Sequence, residues 1–306
     1  MTRPFTRRRF LTIAAATLAA GAGRAESAAT EWHGVALGAP ASLTIRGDRH
    51  AAETAITSVQ AELQRLERIF SLYNSDSALV RLNRNGWLAA PPSELLEVLS
   101  LSGQVHRQTG GAFDPTIQPL WQAYAEAAGE PGPNRIETAW AQVGWQHLRF
   151  DADEIAFARP GMALTLNGIA QGYITDRIAA LLKARGLTDV LVDMGEIAAL
   201  GTRADGTPWR AGIAAPDGRI LHRVTLSDRC LATSAPSGTV LDPAGEVGHI
   251  FDPRRRAPAE AQRVASVSAT SAALADGLST AFCLMTPAEI DAAVAELPGA
   301  RVETLI

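Results

Sequence analysis

Residues 166–186, LNGIAQGYITDRIAALLKARG, change their periodicity at one point and so decide how the middle of the chain is built. An apolar run ending at Leu166 reads as a strand. Asn167 to Gly172 then form a tight turn. From there Ile174, Ile178, Leu181 and Leu182 recur on one face of a helix that runs to Arg185, and Gly186 stops it. Four residues later Val190-Leu191-Val192 is an apolar run short enough for a buried strand, and Gly195 ends it. The unit is strand, turn, helix, strand.

Working outward, Val35, Leu37, Leu43 and Ile45 alternate within 32–46, which predicts short strands. Ile56, Val59, Leu63, Leu66 and Phe70 recur at steps of three and four, which predicts an amphipathic helix from Ala51 to Ile69. A polar loop follows over 70–77, then a helix over 93–109 stopped by Gly110-Gly111. Residues 129–133 read as a surface loop, 135–142 as a short helix, and 147–157 and 163–167 as strands. Beyond the central unit, strands alternate with turns over 197–232. A Gly- and Pro-rich stretch covers 237–258, a strand 264–267 and an Ala-rich helix 271–285. Strand–helix units mixed with antiparallel hairpins indicate an α+β fold, with strands and helices in one or two packed subdomains.

The first 25 residues stand apart. Thr6-Arg7-Arg8-Arg9-Phe10-Leu11 precedes an Ala-rich apolar run to Ala22 and small residues at Gly23 and Ala25. This is the layout of an export signal, too short for a spanning helix of about 20 residues. Consecutive arginines before Phe-Leu point to the twin-arginine route and a periplasmic protein. The expected division is a signal over 1–25 and one functional domain over 26–306, with cleavage or retention of the signal left open. Without the five arginines of that segment, 23 Lys+Arg face 32 Asp+Glu, a formal charge of −9. Such a surface excludes nucleic acid as a partner. An acidic protein that handles a phosphorylated ligand needs a metal or a helix N-terminus to do so. The two cysteines, Cys230 and Cys283, permit one disulfide, but Cys283 sits in an apolar helical run and reads as a buried free thiol.

No GxGxxG, P-loop, GxSxG or HExxH motif is present. Four weaker constellations remain. Asp276 and Thr280 lie four apart on a helix of small residues, so they share a face. Carboxylate plus hydroxyl suits Mg²⁺, a hard cation; the spacing equally allows an exposed Asp and a Thr bonded to its own backbone. His249, in Gly248-His249-Ile250-Phe251-Asp252-Pro253, is a loop histidine that suits a general base or a plain surface position. Arg254-Arg255-Arg256 beside it suits phosphates or a solvated face. Gly168 and Gly172 allow a close backbone approach at a helix start, and Glu196 is a carboxylate at a strand end. Tyr73, one of three tyrosines, stands in a polar loop where it can stack on a flat ring or anchor the loop.

Taken in order, FSLYNSDSALVRLN (70–83), GGAFDPTIQPL (110–120), residues 166–186, LVDMGEI (191–197), LATS (231–234), GHIFDPR (248–254) and ALADGLSTAF (273–282) resemble the ApbE family of FAD:protein FMN transferases. The resemblance covers most of the chain after residue 70. It implies a Mg²⁺-dependent enzyme that moves the FMN part of FAD onto a Ser/Thr hydroxyl of a partner flavoprotein and releases AMP. It implies Asp276, Thr280 and the carbonyl of Ala170 as metal ligands and His249 as the base. It implies Tyr73 near the isoalloxazine ring, and Asp114, Gly168, Gln171, Glu196 and Thr233 around the FAD. The implied acceptor is a membrane-bound respiratory protein. Gln171 in place of the family's Lys, Gly195-Glu196 in place of Gly-Gly and an acid, and Ala235-Pro236-Ser237-Gly238 after the Thr-Ser pair are departures. They are similar to the branch linked to nitrous-oxide reductase maturation. Two rival functions use the same residues: an FAD pyrophosphatase giving FMN and AMP, and a periplasmic FAD-binding protein without chemistry.

Overall fold

The computed structural model describes residues 29–306; the export segment expected over residues 1–25 lies outside them. Two strands, β1 (Thr30–Ala36) and β2 (Ala39–Ile45), pair about Leu37-Gly38, whose φ angles of 48° and 84° are those of a tight hairpin turn. Leu37 is held in this conformation by its backbone N–H, which donates to Glu67 Oε1 at 3.1 Å. That glutamate belongs to α1 (Arg49–Phe70), which is capped by the Asp48 side chain and buries Ala52, Ala55, Val59, Leu63 and Leu66 along one stripe.

Residues 78–85, to which the hydrophobic pattern assigns no element, form α2 (Ala78–Asn85). Ser77 caps it by accepting from Val80 N, and Gly86 ends it at φ 78°. There follow β3 (Trp87–Ala89), α3 (Ser93–Gln108), α4 (Gln118–Glu126), α5 (Pro133–Trp140), β4 (Leu148–Phe150) and β5 (Glu154–Phe157). The strands β3, β5 and β4 make a small sheet. The strand expected over 163–167 is not a strand. Asn83 takes the place of a pairing partner: its side chain accepts from Leu164 N and donates to Leu164 O, both at 2.8 Å. Thr165 N donates to Pro115 O at 2.9 Å. The backbone is satisfied without a ladder.

The turn after Leu166 opens α6 (Ala170–Ala184), and β6 (Val190–Asp193) and β7 (Ile197–Leu200) follow. A hairpin of β8 (Trp209–Ala214) and β9 (Ile220–Leu226) leads to β10 (Arg229–Ser234), β11 (Phe251–Asp252), β12 (Ala257–Pro258) and β13 (Ala265–Ala269). The chain closes with α7 (Ala272–Phe282), α8 (Pro287–Ala295) and β14 (Arg301–Leu305). The main sheet is antiparallel throughout, in the order β1-β2-β6-β7-β10-β13-β14. Val190 and Val192 join the main core with the helices, whereas Leu191 packs with Trp209, Ile213, Val224 and Leu226 of the β8–β9 hairpin. Burial on both faces explains the unbroken apolar run at 190–192.

The α6–α7 pair is the centre of the molecule. A Cβ on Gly172 would meet the carbonyl oxygen of Ala272 at 2.3 Å, so only glycine lets the helices come this close. The glycine expected to admit a ligand thus admits a helix. The small residues of α7, buried along almost the whole helix, do the same from the other side. Cys230 and Cys283 are both buried free thiols.

Candidate active site

Nine of the ten residues singled out above line one cleft: Tyr73, Asp114, Gly168, Gln171, Glu196, Thr233, His249, Asp276 and Thr280. The cleft encloses about 1540 Å³ of empty space including its open mouth. The tenth, Ala170, is buried at the first position of α6, between the cleft-lining Gly168 and Gln171 in sequence.

Asp276 and Thr280 face the cleft from consecutive turns of α7. Asp276 is buried, and its Oδ2 accepts from Gly172 N in the first turn of α6 at 3.1 Å. Thr280 Oγ1 lies 3.3 Å from Ser234 Oγ, which in turn bonds Ser279 Oγ at 2.8 Å. A Cβ on Gly168 would stand 2.8 Å from Thr280 Oγ1, so this turn leaves the hydroxyl its room. The buried Asp and the inward Thr remove the alternative of a solvated helix face.

Three carboxylates gather on this side: Asp276, Glu196 and Asp193. Burial pushes all three upward, Asp193 to about 6, and Glu196 rises further beside Asp276 and Asp193. Glu196 Oε2 accepts from Thr233 N at 3.3 Å, and Asp193 Oδ1 from Gly195 N at 3.1 Å. None has an ion-pair partner among the described residues. Uncompensated buried carboxylates call for a cation. Although these three carboxylates are neighbours, no three His, Cys, Asp or Glu side chains among the described residues are placed to hold a metal ion together. A divalent ion would therefore rest on one carboxylate supplemented by hydroxyl and main-chain oxygens. Asp276 and Thr280, with the Ala170 carbonyl from the turn whose Gly168 and Gly172 touch Thr280 and Asp276, offer such a hard-oxygen set, of a kind that suits Mg²⁺.

His249 enters the same cleft from its loop. Gly248 is needed there because a Cβ would stand 2.4 Å from Pro236 O. The ring Nδ1 lies 2.9 Å from Pro236 O and 3.2 Å from Thr239 O. Two carbonyls can only accept, so Nδ1 carries the proton and Nε2 keeps its lone pair. Burial holds the imidazole below its ordinary value, against the pull of the two carbonyls.

Asp114 lines the cleft, but its carboxylate is engaged structurally. It accepts from Thr116 N, Thr116 Oγ1 and Trp145 N at 2.8, 2.7 and 3.2 Å, pinning this turn to residues 144–145. The Gln171 amide packs over Gly195, where a Cβ would meet Nε2 at 2.4 Å. Tyr73 is 64% exposed at the mouth. Arg254 bonds Asp252, Glu289 and Leu284 O, and Arg256 pairs with Glu137 and covers the Trp140 ring at 5.0 Å. The arginine run thus serves structure outside the cleft. Sequence reasoning passes over Ser234, Asn167 and Asp176; the Thr-Ser pair at 233–234 signals the first, and nothing local signals the others.

The ApbE family sequence model matches residues 37–304. The FAD:protein FMN transferase of Treponema pallidum is 30% identical over 292 residues, covering 86% of this chain and 80% of that protein. The FAD:protein FMN transferase of Salmonella typhimurium is 29% identical over 246 residues, 75% of this chain and 70% of that one. Among solved structures, the apo flavinyl transferase ApbE of Pseudomonas stutzeri superposes with a TM-score of 0.74 at 30% identity, covering 88% of each chain. The flavin transferase ApbE of Vibrio cholerae gives 0.76 at 25% identity, covering 87% of this chain and 91% of that one.

Proposed function

This chain belongs to the ApbE family, and from that premise we infer an enzyme that takes its flavin from FAD and attaches it to a protein. We propose further that the acceptor is a Ser/Thr hydroxyl, that AMP is released, and that Mg²⁺ assists. The observation that carries the reading is the presence in one cleft of a histidine with a fixed tautomer and a buried Asp–Thr pair.

The chain's own groups divide the work. His249 Nε2 accepts the proton of the acceptor hydroxyl, while its Nδ1–H stays on the Pro236 and Thr239 carbonyls. The freed oxygen forms a bond to the FMN phosphorus, and the anhydride P–O bond breaks with the bridging oxygen leaving on AMP. Asp276, Thr280 and the Ala170 carbonyl would hold the metal. When bound, Mg²⁺ supplies neutralisation of the pyrophosphate and of the charge on the leaving AMP. Tyr73 at the mouth offers its ring to the isoalloxazine. Gly168, Gln171, Glu196 and Thr233 shape the wall between these ends.

We also propose export by the twin-arginine route, on the strength of Arg7-Arg8-Arg9-Phe10-Leu11. The proposed acceptor is a membrane-bound respiratory flavoprotein, including the kind that matures nitrous-oxide reductase.

The test incubates the protein with FAD, Mg²⁺ and an acceptor domain bearing a Ser/Thr site. Mass spectrometry of the acceptor and AMP release are followed together. An FMN adduct that vanishes with EDTA supports the transfer and the metal at once. AMP and free FMN without an adduct would favour hydrolysis, and bound FAD with neither product would sink the catalytic reading.

A further inference from the structure

The cleft draws Asp276 and Thr280 from α7, yet the start of α7 is held from another helix. Asp176, in the second turn of α6, directs its carboxylate at the α7 N-terminus. Oδ1 accepts from Ala272 N at 2.7 Å, and Oδ2 accepts from Ser271 Oγ at 2.7 Å and from Ala273 N at 3.0 Å. Ser271 Oγ in turn accepts from Leu274 N at 3.2 Å. The first N–H groups of a helix have no partner within it, and here two of them are filled by a carboxylate from α6. The arrangement is reciprocal. Gly172 N, an unpaired donor in the first turn of α6, is filled by Asp276 Oδ2 of α7. Each helix caps the other, and the contact is tight because Gly172 has no Cβ to hold it off Ala272 O.

We propose that Asp176 is a positioning residue for the cation site: by capping α7 from α6, it sets where Asp276 and Thr280 stand relative to Ala170 at the α6 start. This rests on the reading that those three groups hold the cation. The physical reason is leverage. Asp276 lies four residues beyond Ala272, about 6 Å along the helix at 1.5 Å per residue. A slip of the α7 start therefore reaches the carboxylate undiminished. Tyr73, Asp114, Thr233 and His249, which line the cleft from outside α6 and α7, would feel the slip less, and FAD binding with them.

Mn²⁺, which binds where Mg²⁺ does and is read by electron paramagnetic resonance, serves as the probe on the whole chain, with FAD Kd measured separately in EDTA. Asp176→Asn keeps the shape but turns one acceptor into a donor. It is expected to raise the Mn²⁺ Kd about 10- to 100-fold, the usual cost of losing a partner that orients a metal ligand, with FAD Kd within about twofold of wild type. Cys230→Ala removes a thiol that touches the same carboxylate at 3.8 Å but breaks no cap bond, and should keep the wild-type Mn²⁺ Kd. An unchanged Mn²⁺ Kd in Asp176→Asn overturns the proposal, as does an equal loss of Mn²⁺ and FAD binding or an equal effect in Cys230→Ala. Should Asp176→Asn not fold, Ser271→Ala decides by the same readout, with a smaller rise in Mn²⁺ Kd expected. A wild-type chain that takes up no Mn²⁺, with or without FAD, overturns the cation reading itself, a result distinct from a silent Asp176 variant.

Discussion

Asp276 Oδ2 accepts a hydrogen bond from the backbone N–H of Gly172 at 3.1 Å, so a carboxylate facing the cleft from α7 also caps the start of α6. Two consequences follow for the chemistry. One oxygen of Asp276 is oriented by the fold through this bond. The site also inherits its precision from the packing of two helices rather than from loop residues.

Gly172→Ala tests that packing. The new Cβ would lie 2.3 Å from Ala272 O, a backbone atom that cannot swing aside. The helices must part, at an expected cost of about 1–3 kcal/mol, as for other overpacked cores. Urea denaturation reads the loss; stability equal to wild type would show that the α6–α7 contact is loose.

Asp276→Asn removes the charge and keeps the size. Mg²⁺-dependent flavin transfer should fall by more than about 100-fold, beyond the loss seen when only a supporting group is removed. Stability at pH 8 should hold or rise, because a buried carboxylate without an ion-pair partner is gone. Wild-type transfer rates with unaltered Mg²⁺ dependence would take Asp276 out of the site.

His249→Ala should retain FAD binding and slow transfer by roughly 10²–10⁴, the span of general-base catalysis. In the wild type, burial lowers the imidazole pKa, so the neutral base persists below pH 6.5. The acid limb of kcat/KM should accordingly fall below 6.5 and be lost in the variant. A limb at or above that value would assign it to another group.

Asp193 gives a stability signature. Its folded pKa is raised from 3.8 to about 6 by burial, so between those values the folded chain holds a proton that the unfolded chain has released. The sign is therefore a loss of stability as pH rises from about 4 through 6. At about 1.4 kcal/mol per pH unit the loss amounts to roughly 2–3 kcal/mol by pH 8. Asp193→Asn, which keeps an acceptor for Gly195 N, should be more stable than wild type at pH 8 and show a flatter profile. An equal change in unfolding free energy between pH 5 and pH 8 in variant and wild type would contradict this.

Much of this protein is written in local pattern. The three- and four-residue steps of α1 and α6, the apolar run of β6 and the glycines after α3 and α6 mark elements whose periods and stops are properties of a few adjacent residues. Pattern fails where the deciding partner is distant. Residues 163–167 look like a strand but are held by the Asn83 side chain, 81 residues away. The helix α2 depends on the Ser77 cap more than on any long stripe.

For the site, sequence alone determined the inventory: an Asp–Thr pair one helical turn apart, a loop histidine, and a glycine-bearing helix start, in an order that marks the family. Tertiary structure decided what those groups are. It buried Asp276, removing the solvent that would have made it an ordinary surface acid. It set two carbonyls against His249 Nδ1, which leaves the Nε2 lone pair free, and drew Arg254–Arg256 into ion pairs away from the cleft. It also brought Asp176 to the head of α7, 96 residues on. Spacing along a chain sets which side chains share a face. The desolvation and hydrogen-bond partners that make a carboxylate a ligand or a histidine a base exist only once remote segments have packed.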